Sequence, residues 1–430
     1  MQVNSDQPIL TEEGSSQRYL FPFILVVCLF FLWGIAHNLN GILIPHLKKA
    51  CQLDNSQSAL VDTSVFFAYF IMALPAGMIL RKWGYKFSII FGLITFSVGC
   101  FLFIPAADTR MYELFLLALF IIGCGLAVLE TAANPYASVL GKADSATHRL
   151  NLAASFNGLA AMVAPIVGAT FILSGKSYSE LELQSMMEAE RLAYFTSEAS
   201  SVKVPYLILG GVLLLVAIVF VFVKLPEIKE NPNTATQQSK KNFFSVLRHQ
   251  HLAYAVLAQF FYVGAQVCVT SFFVRMAQQG AGVDEKTAGY YLGVYGLLFM
   301  VGRFVGTFLL KYISANNLLV LFAAASVVAS AVAVFSSGMI ILYALGALGF
   351  FMSIMFPTIF SLGIKDLGED TKQGSSWLIM AIVGGAIFPF FTGLIIDAAH
   401  DNTQIGYTVP FVCYLVIFWF GLRGYQIRPR

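Results

Sequence analysis

The residue most able to do chemistry is Glu130, set in Gly125-Leu-Ala-Val-Leu-Glu-Thr-Ala-Ala-Asn-Pro135, an otherwise apolar stretch. An ionisable side chain within an apolar run of membrane length is costly to place, so it faces a cavity or a dedicated partner. A lone carboxyl in such a place can take up and release a proton. The alternative is a packing hydrogen bond to neighbouring helices. No cationic residue lies near it in sequence to neutralise it, which favours proton exchange. Asn134 falls one turn further on the same helical face.

Amides and aromatics recur at helical spacing in other apolar runs. The first run carries Trp33, His37, Asn38, Asn40 and His46, with Gly34, Asn38, Gly41 and Pro45 forming a small, polar face. An aromatic plane suits the C–H face of a sugar and amides suit its hydroxyls, so Trp33 with Asn38 fits such a ligand. Trp33 reads equally well as a core or interfacial aromatic. The fifth run begins Arg149-Leu-Asn-Leu-Ala-Ala-Ser-Phe-Asn157, which puts Asn157 deep enough to reach a central cavity. The seventh carries Gln259, Tyr262 and Gln266 along one face, with Ser271 beyond. Each alone could bond helix to helix. Together, without a fixed cation among them, they favour a neutral polyol over an anion. Arg303, near one end of the eighth run, reads as a packing or snorkelling residue rather than an anion site.

These residues need long apolar helices to carry them, and the composition supplies them. Of 430 residues, 58% are hydrophobic and 11% charged, and the mean hydropathy is +0.76. A soluble chain of this size needs more charge to cover its surface. A net charge of +3 is too small to suggest a nucleic-acid partner. The six cysteines form no CxxC pair, and His37, His46 and Glu130 match no ligand spacing, so no metal, cofactor or enzyme activity is expected. The N-terminus is polar to Arg18, unlike a cleavable signal.

A span needs about 20 mostly apolar residues. Twelve such runs fall near 21–45, 58–80, 86–106, 112–139, 150–174, 204–224, 252–277, 287–311, 317–336, 339–362, 373–397 and 406–423. Backbone groups in lipid must be satisfied within each segment, so the class is an all-α polytopic membrane protein. The runs are too long and uniformly apolar for a barrel. With an even number of spans both termini share a side, and Lys and Arg divide 17 against 8 in favour of that side, which is therefore expected to be cytoplasmic. Residues 175–203 read as an outer loop, and 225–250, rich in Asn, Thr, Gln and Lys, as a cytoplasmic linker. The expected organisation is a tail (1–20), a six-helix bundle (21–224), the linker, a second bundle (251–424) and a tail (425–430).

The halves look like weak repeats. Pro135 to Gly141 aligns with Pro357 to Gly363, Pro165 with Pro389, and Gly77 to Lys82 with Gly306 to Lys311. A ligand would then sit where the two halves meet, near mid-membrane. One chain supplies both halves, so function as a monomer is expected.

The stretch Gly77-Met-Ile-Leu-Arg-Lys-Trp-Gly-Tyr-Lys86 resembles the signature loop of the major facilitator superfamily, with Arg81 in place of its usual acid. Longer likenesses run along nearly the whole chain. They include Phe30-Phe-Leu-Trp33, Leu129-Glu-Thr-Ala-Ala-Asn-Pro135, Tyr262-Val-Gly-Ala-Gln266 and Pro357-Thr-Ile-Phe-Ser-Leu-Gly-Ile-Lys365. On these the sequence resembles the fucose/galactose/glucose subfamily of that superfamily, and most of all its fucose–proton symporters. The resemblance implies twelve helices in two six-helix bundles in a bacterial inner membrane. It implies uptake of a neutral monosaccharide, fucose first, by proton symport with alternating access. An uncoupled facilitator is one alternative. A non-transporting sugar sensor is a remote one, since no segment could hold a signalling domain. Glu130 matches the subfamily's coupling carboxylate, and Trp33, Asn38 and Asn157 match cavity residues. Three positions depart from the pattern. Gly41 replaces a first-helix aspartate, Ala154 a fifth-helix glutamine and Phe356 a tenth-helix tyrosine. The loss at Gly41 leaves Glu130 as the expected sole coupling acid, with His37, one turn away, as the candidate second group.

Overall fold

The computed structural model describes residues 12–140, 146–176, 178, 180–223, 243–367 and 371–426, and these are helical with no strand among them. Eleven helical stretches among them are long and apolar enough to cross a membrane. The predicted second span, near 58–80, is the first leg of a longer helix, Leu60–Thr109, whose second leg is the third span. Gly84 joins the legs at φ 76° and ψ 178°, a backbone region closed to residues with a Cβ. Lys86, two residues on, donates from Nζ to the carbonyls of Val221 (2.8 Å) and Val223 (2.9 Å), capping the end of the sixth span, Lys203–Phe222. The side chain of Arg81, most of the 225–250 stretch and the outermost tails lie outside the described residues.

Three spans differ in detail from the sequence reading. The first is a 40-residue helix, Glu12–Cys51. The tenth is two helices, Met339–Met352 and Met355–Gly363. The eleventh runs Thr371–Met380, then a 3-10 turn, then Gly384–Ala398. The expected loop at 175–203 is a correction of another kind, because it folds into helices Glu180–Ser185 and Glu188–Ser200. The second of these buries Phe195, Glu198 and Ala199. Glu198 accepts an ion pair from Lys49 at 3.0 Å, so the segment has its own reason to pack on the first span.

The halves meet most closely at the end that the charge count assigns to the outside. The fifth span, Ala146–Phe171, lies against the eighth, Glu285–Leu309. A Cβ built on Gly296 would sit 2.1 Å from the carbonyl oxygen of Ala161, so only glycine allows this approach. Between the second and eleventh spans, Thr63 Oγ1 donates to the Ala386 carbonyl at 2.8 Å. The turn at Asn55 and Ser56 docks on Asp397, which accepts from both backbone N–H groups at 3.0 and 2.9 Å and from the Asn55 amide at 2.6 Å. Ion pairs complete the seam: Lys48 and Arg275 on Asp401 at 3.2 and 2.5 Å, and Lys49 on Glu285 at 2.7 Å.

The glycine contact generates a stability test. Gly296→Ala forces two backbones apart and should lower stability by about 1–3 kcal/mol. Gly211→Ala, whose Cβ would meet nothing within 4 Å, should leave it unchanged or raised. Thermal unfolding of the detergent-purified variants measures both, and equal unfolding temperatures would contradict the packing.

Candidate functional site

The polar residues of the spans converge on a cavity of about 210 Å³ between the halves. Its wall takes His37, Asn38, Asn40 and Gly41 from the first span, Asp62, Phe66 and Tyr69 from the second, and Glu130 from the fourth, Tyr112–Val139. The other half contributes Val263, Gln266 and Thr270 from the seventh span, Gln250–Ser271, and Phe356 and Ile382 from the tenth and eleventh. A second, wider cavity of about 600 Å³ shares Phe66, Tyr69, Glu130, Phe356 and Ile382 and extends away from the outer seam past Asn134 and Phe360.

Glu130 is the hinge point of the two cavities. Tyr69, one span away, donates its phenolic O–H to Glu130 Oε1 at 2.8 Å. His37 stands edge-on to Tyr69 at 6.3 Å and to Phe66 at 5.3 Å. Among the described residues, no lysine or arginine lines either cavity. The site therefore offers carboxyl, imidazole, phenol and amide groups but no fixed positive charge.

Helical spacing accounts for which expected residues meet. Asn38 reaches the wall while its amide donates back to the Gly34 carbonyl at 2.7 Å, which leaves its oxygen for a ligand. Gln266 lies on the wall four residues from Thr270. Phe356 lines both cavities, and Asn134 lines the wider one. Four others lie off the wall. Trp33 is 5% exposed and packs on Phe30 with ring centroids 4.1 Å apart. Asn157 donates to the Phe30 carbonyl at 3.4 Å and abuts Gly34. Tyr262 is buried and donates to the Met352 carbonyl at 3.0 Å. Gln259 is fully buried, and among the described residues neither its amide nitrogen nor its oxygen has a partner. It sits one turn from Val263 on the cavity-facing side of its helix. Arg303 stacks on Phe299, 5.2 Å from the ring, and takes no part in the wall.

The structure adds a residue that the sequence reading missed. Asp62, 2% exposed, lines the same cavity as Glu130. The Asn40 amide donates to its Oδ1 at 3.1 Å, and its Oδ2 is hydrogen-bonded to Ser271 of the other half. Glu130 is therefore not the cavity's only acid. The usable signal was an acid inside the 58–80 apolar run, the rule that singled out Glu130. Its position two residues into the helix disguised it as a boundary charge. Gly41, where an acid was expected, meets the Thr270 carbonyl and Leu292: a Cβ there would lie 3.1 and 2.8 Å from them.

A major facilitator model matches residues 23–389, and the chain belongs to the Major Facilitator Superfamily. Its fold is that family's twelve-helix arrangement of two six-helix bundles. Within it, the chain is 41% identical over 424 residues to the L-fucose-proton symporter of Escherichia coli (strain K12), covering 98% of this chain and 97% of that one. It is 39% identical to the glucose/galactose transporter of Brucella abortus (strain 2308), with 98% of each chain covered. The crystal structure of the fucose:proton symporter FucP in the outward conformation superposes with a TM-score of 0.70 at 41% identity, covering 95% of this chain and 100% of that chain.

The placement of Trp33 predicts how its loss acts. Trp33→Ala removes a buried ring from the core and should lower stability by about 3–5 kcal/mol, read as a drop in unfolding temperature in detergent. An unchanged unfolding temperature would mean that Trp33 does not pack as described.

Proposed function

We propose that this chain takes up a neutral monosaccharide together with a proton, the two halves rocking about the central cavity. The observation that carries the reading is Glu130 itself. A carboxyl at the cavity wall, with a phenol as its hydrogen-bond donor and no cation beside it among the described residues, holds a proton more readily than a charge. Releasing that proton together with the sugar couples the two. Asn38 and Gln266 supply amides for hydroxyls, and Gln259, with its unpartnered amide one turn below the wall, joins them when the halves rearrange. Tyr262, Asn134, Asn157 and Trp33 complete the proposed substrate-binding set in that rearranged cavity.

L-Fucose is the first candidate. It carries a methyl group where galactose carries a hydroxymethyl, and Val263, Phe356 and Ile382 give the cavity an apolar side for it. Galactose and glucose follow, in line with the names of the Brucella relatives. A missing hydroxyl partner discriminates between such sugars by roughly 10–100-fold. The chain is read as a monomer of the bacterial inner membrane, with both termini and the 225–250 linker in the cytoplasm.

Right-side-out vesicles given an inward proton gradient should accumulate labelled L-fucose, and less galactose and glucose. Failure to accumulate any of them would overturn the proposal. Glu130→Gln keeps the shape and removes the titration, so it should abolish uphill accumulation while sugar exchange across the membrane survives. Full accumulation in that variant would remove Glu130 from the coupling. Asn38→Ala and Gln266→Ala should each weaken sugar binding by about 1–3 kcal/mol, measured by counterflow competition. Unchanged affinity in both would place the sugar elsewhere.

A further inference from the structure

Asp62 is a second buried acid, and it differs from Glu130 in one decisive respect: it bridges the halves. It belongs to the second span, and its Oδ2 is hydrogen-bonded to Ser271 at the end of the seventh. This contact lies between the cavity and the outer seam. Its neighbours are the Thr63–Ala386 bond and the close approach of Gly41 to Thr270.

A hydrogen count shows which form of the acid fits. Ser271 has one hydroxyl proton, and its Oγ lies 2.7 Å from the Val267 carbonyl as well as against Asp62. With Asp62 protonated, every contact is satisfied at once. Its O–H donates to Ser271 Oγ, Ser271 donates to the Val267 carbonyl, and the Asn40 amide donates to Oδ1. With Asp62 ionised, two acceptors compete for the one serine proton, and a full charge sits on a residue only 2% exposed. The titratable groups that feel its charge are the Cys268 thiol of the seventh span and the Tyr112 phenol of the fourth. Along the cavity beyond them stand His37, Tyr69, Glu130 and Tyr295. No lysine or arginine is among these described residues, so a proton is what is left to neutralise Asp62.

We infer that Asp62 is a proton-operated gate: protonated, it joins Ser271 and holds the outer side shut; ionised, it releases Ser271 and lets that side open. The inference rests on the reading of the chain as a proton-coupled transporter. It adds a second proton site on this chain's own second span, at the gate rather than at the wall where Glu130 stands. A proton arriving from outside at Asp62 would close the carrier behind the sugar.

Outside access to the cavity tests this without needing sugar transport. Val263→Cys places a thiol on the wall, in a Cys51→Ser background, and a membrane-impermeant thiol reagent is added to right-side-out vesicles. Labelling of the background alone is subtracted. In the parent, reaction should quicken at least tenfold more with rising pH than a free thiol does. Asp62→Asn mimics the neutral acid, donating to Ser271 and accepting from Asn40, and should hold the slow rate at every pH. Ser271→Ala removes the bridge and should react fast at every pH. The parent's pH profile persisting in Asp62→Asn overturns the inference. If that variant does not reach the membrane, the parent's profile persisting in Ser271→Ala overturns it equally. Uptake separates the two proposals: a parent that accumulates no sugar but shows the Asp62-dependent access refutes the transport reading and leaves the gate standing.

Discussion

A carboxyl group that has left water needs either a cation or a proton, and the described lining of the central cavity supplies no cation. That constraint organises the molecule. Glu130 and Asp62 sit on one cavity with phenol, amide and hydroxyl partners, all of them neutral. The basic residues at the outer end are engaged elsewhere. Lys48 and Arg275 hold Asp401, and Lys49 lies between Glu198 and Glu285. These fixed charges are held away from the cavity wall, whose described lining is left to groups whose charge can come and go.

The rim and the interior therefore respond differently to pH. Burial alone would raise the pKa of Asp401. The Asn55 amide, the Arg275 guanidinium and the Lys48 ammonium outweigh burial and hold the carboxyl down at about 2. A carboxyl with a depressed pKa keeps its own charge at all higher pH, and its contribution to these ties is lost on the acid side only as the pH falls through that value. The Asp401 carboxylate therefore stays charged throughout the pH range in which a cell lives. Glycines decide whether the closed arrangement can form at all, because Gly296 and Gly41 bring backbone against backbone and side chain at distances that a Cβ would block. A transporter that alternates must also undo these contacts, and contacts built from small residues and exchangeable hydrogen bonds come apart more readily than interlocked side chains do.

Most of this fold was legible in the sequence because lipid imposes a length on every apolar run. The twelve runs all fall on helix, although the second and third share one long helix and the tenth and eleventh are each broken, and the glutamate of the fourth run stood out as an exception to its apolarity. The 175–203 stretch was misread because its polarity resembles a loop, whereas its helices are held by Phe195 and the Glu198–Lys49 pair, contacts that no local pattern records. Asp62 was passed over because an acid near the start of a span looks like a boundary residue. Only the approach of Ser271, 209 positions away, makes it part of the interior. Trp33 is an aromatic whose type suggests a sugar platform, and in this arrangement its ring packs on Phe30, a contact that spacing alone does not reveal.

The central claim is that sugar and proton cross together through a cavity whose own charges are exchangeable. The direct measurement is the pH of a lightly buffered suspension of de-energised cells expressing the chain, recorded as L-fucose, galactose or glucose is added. Entry of a transported sugar should draw protons in with it and make the medium more alkaline, in proportion to the sugar taken up. Sugar entry of the same size with no change in external pH would contradict the account and leave an uncoupled carrier in its place.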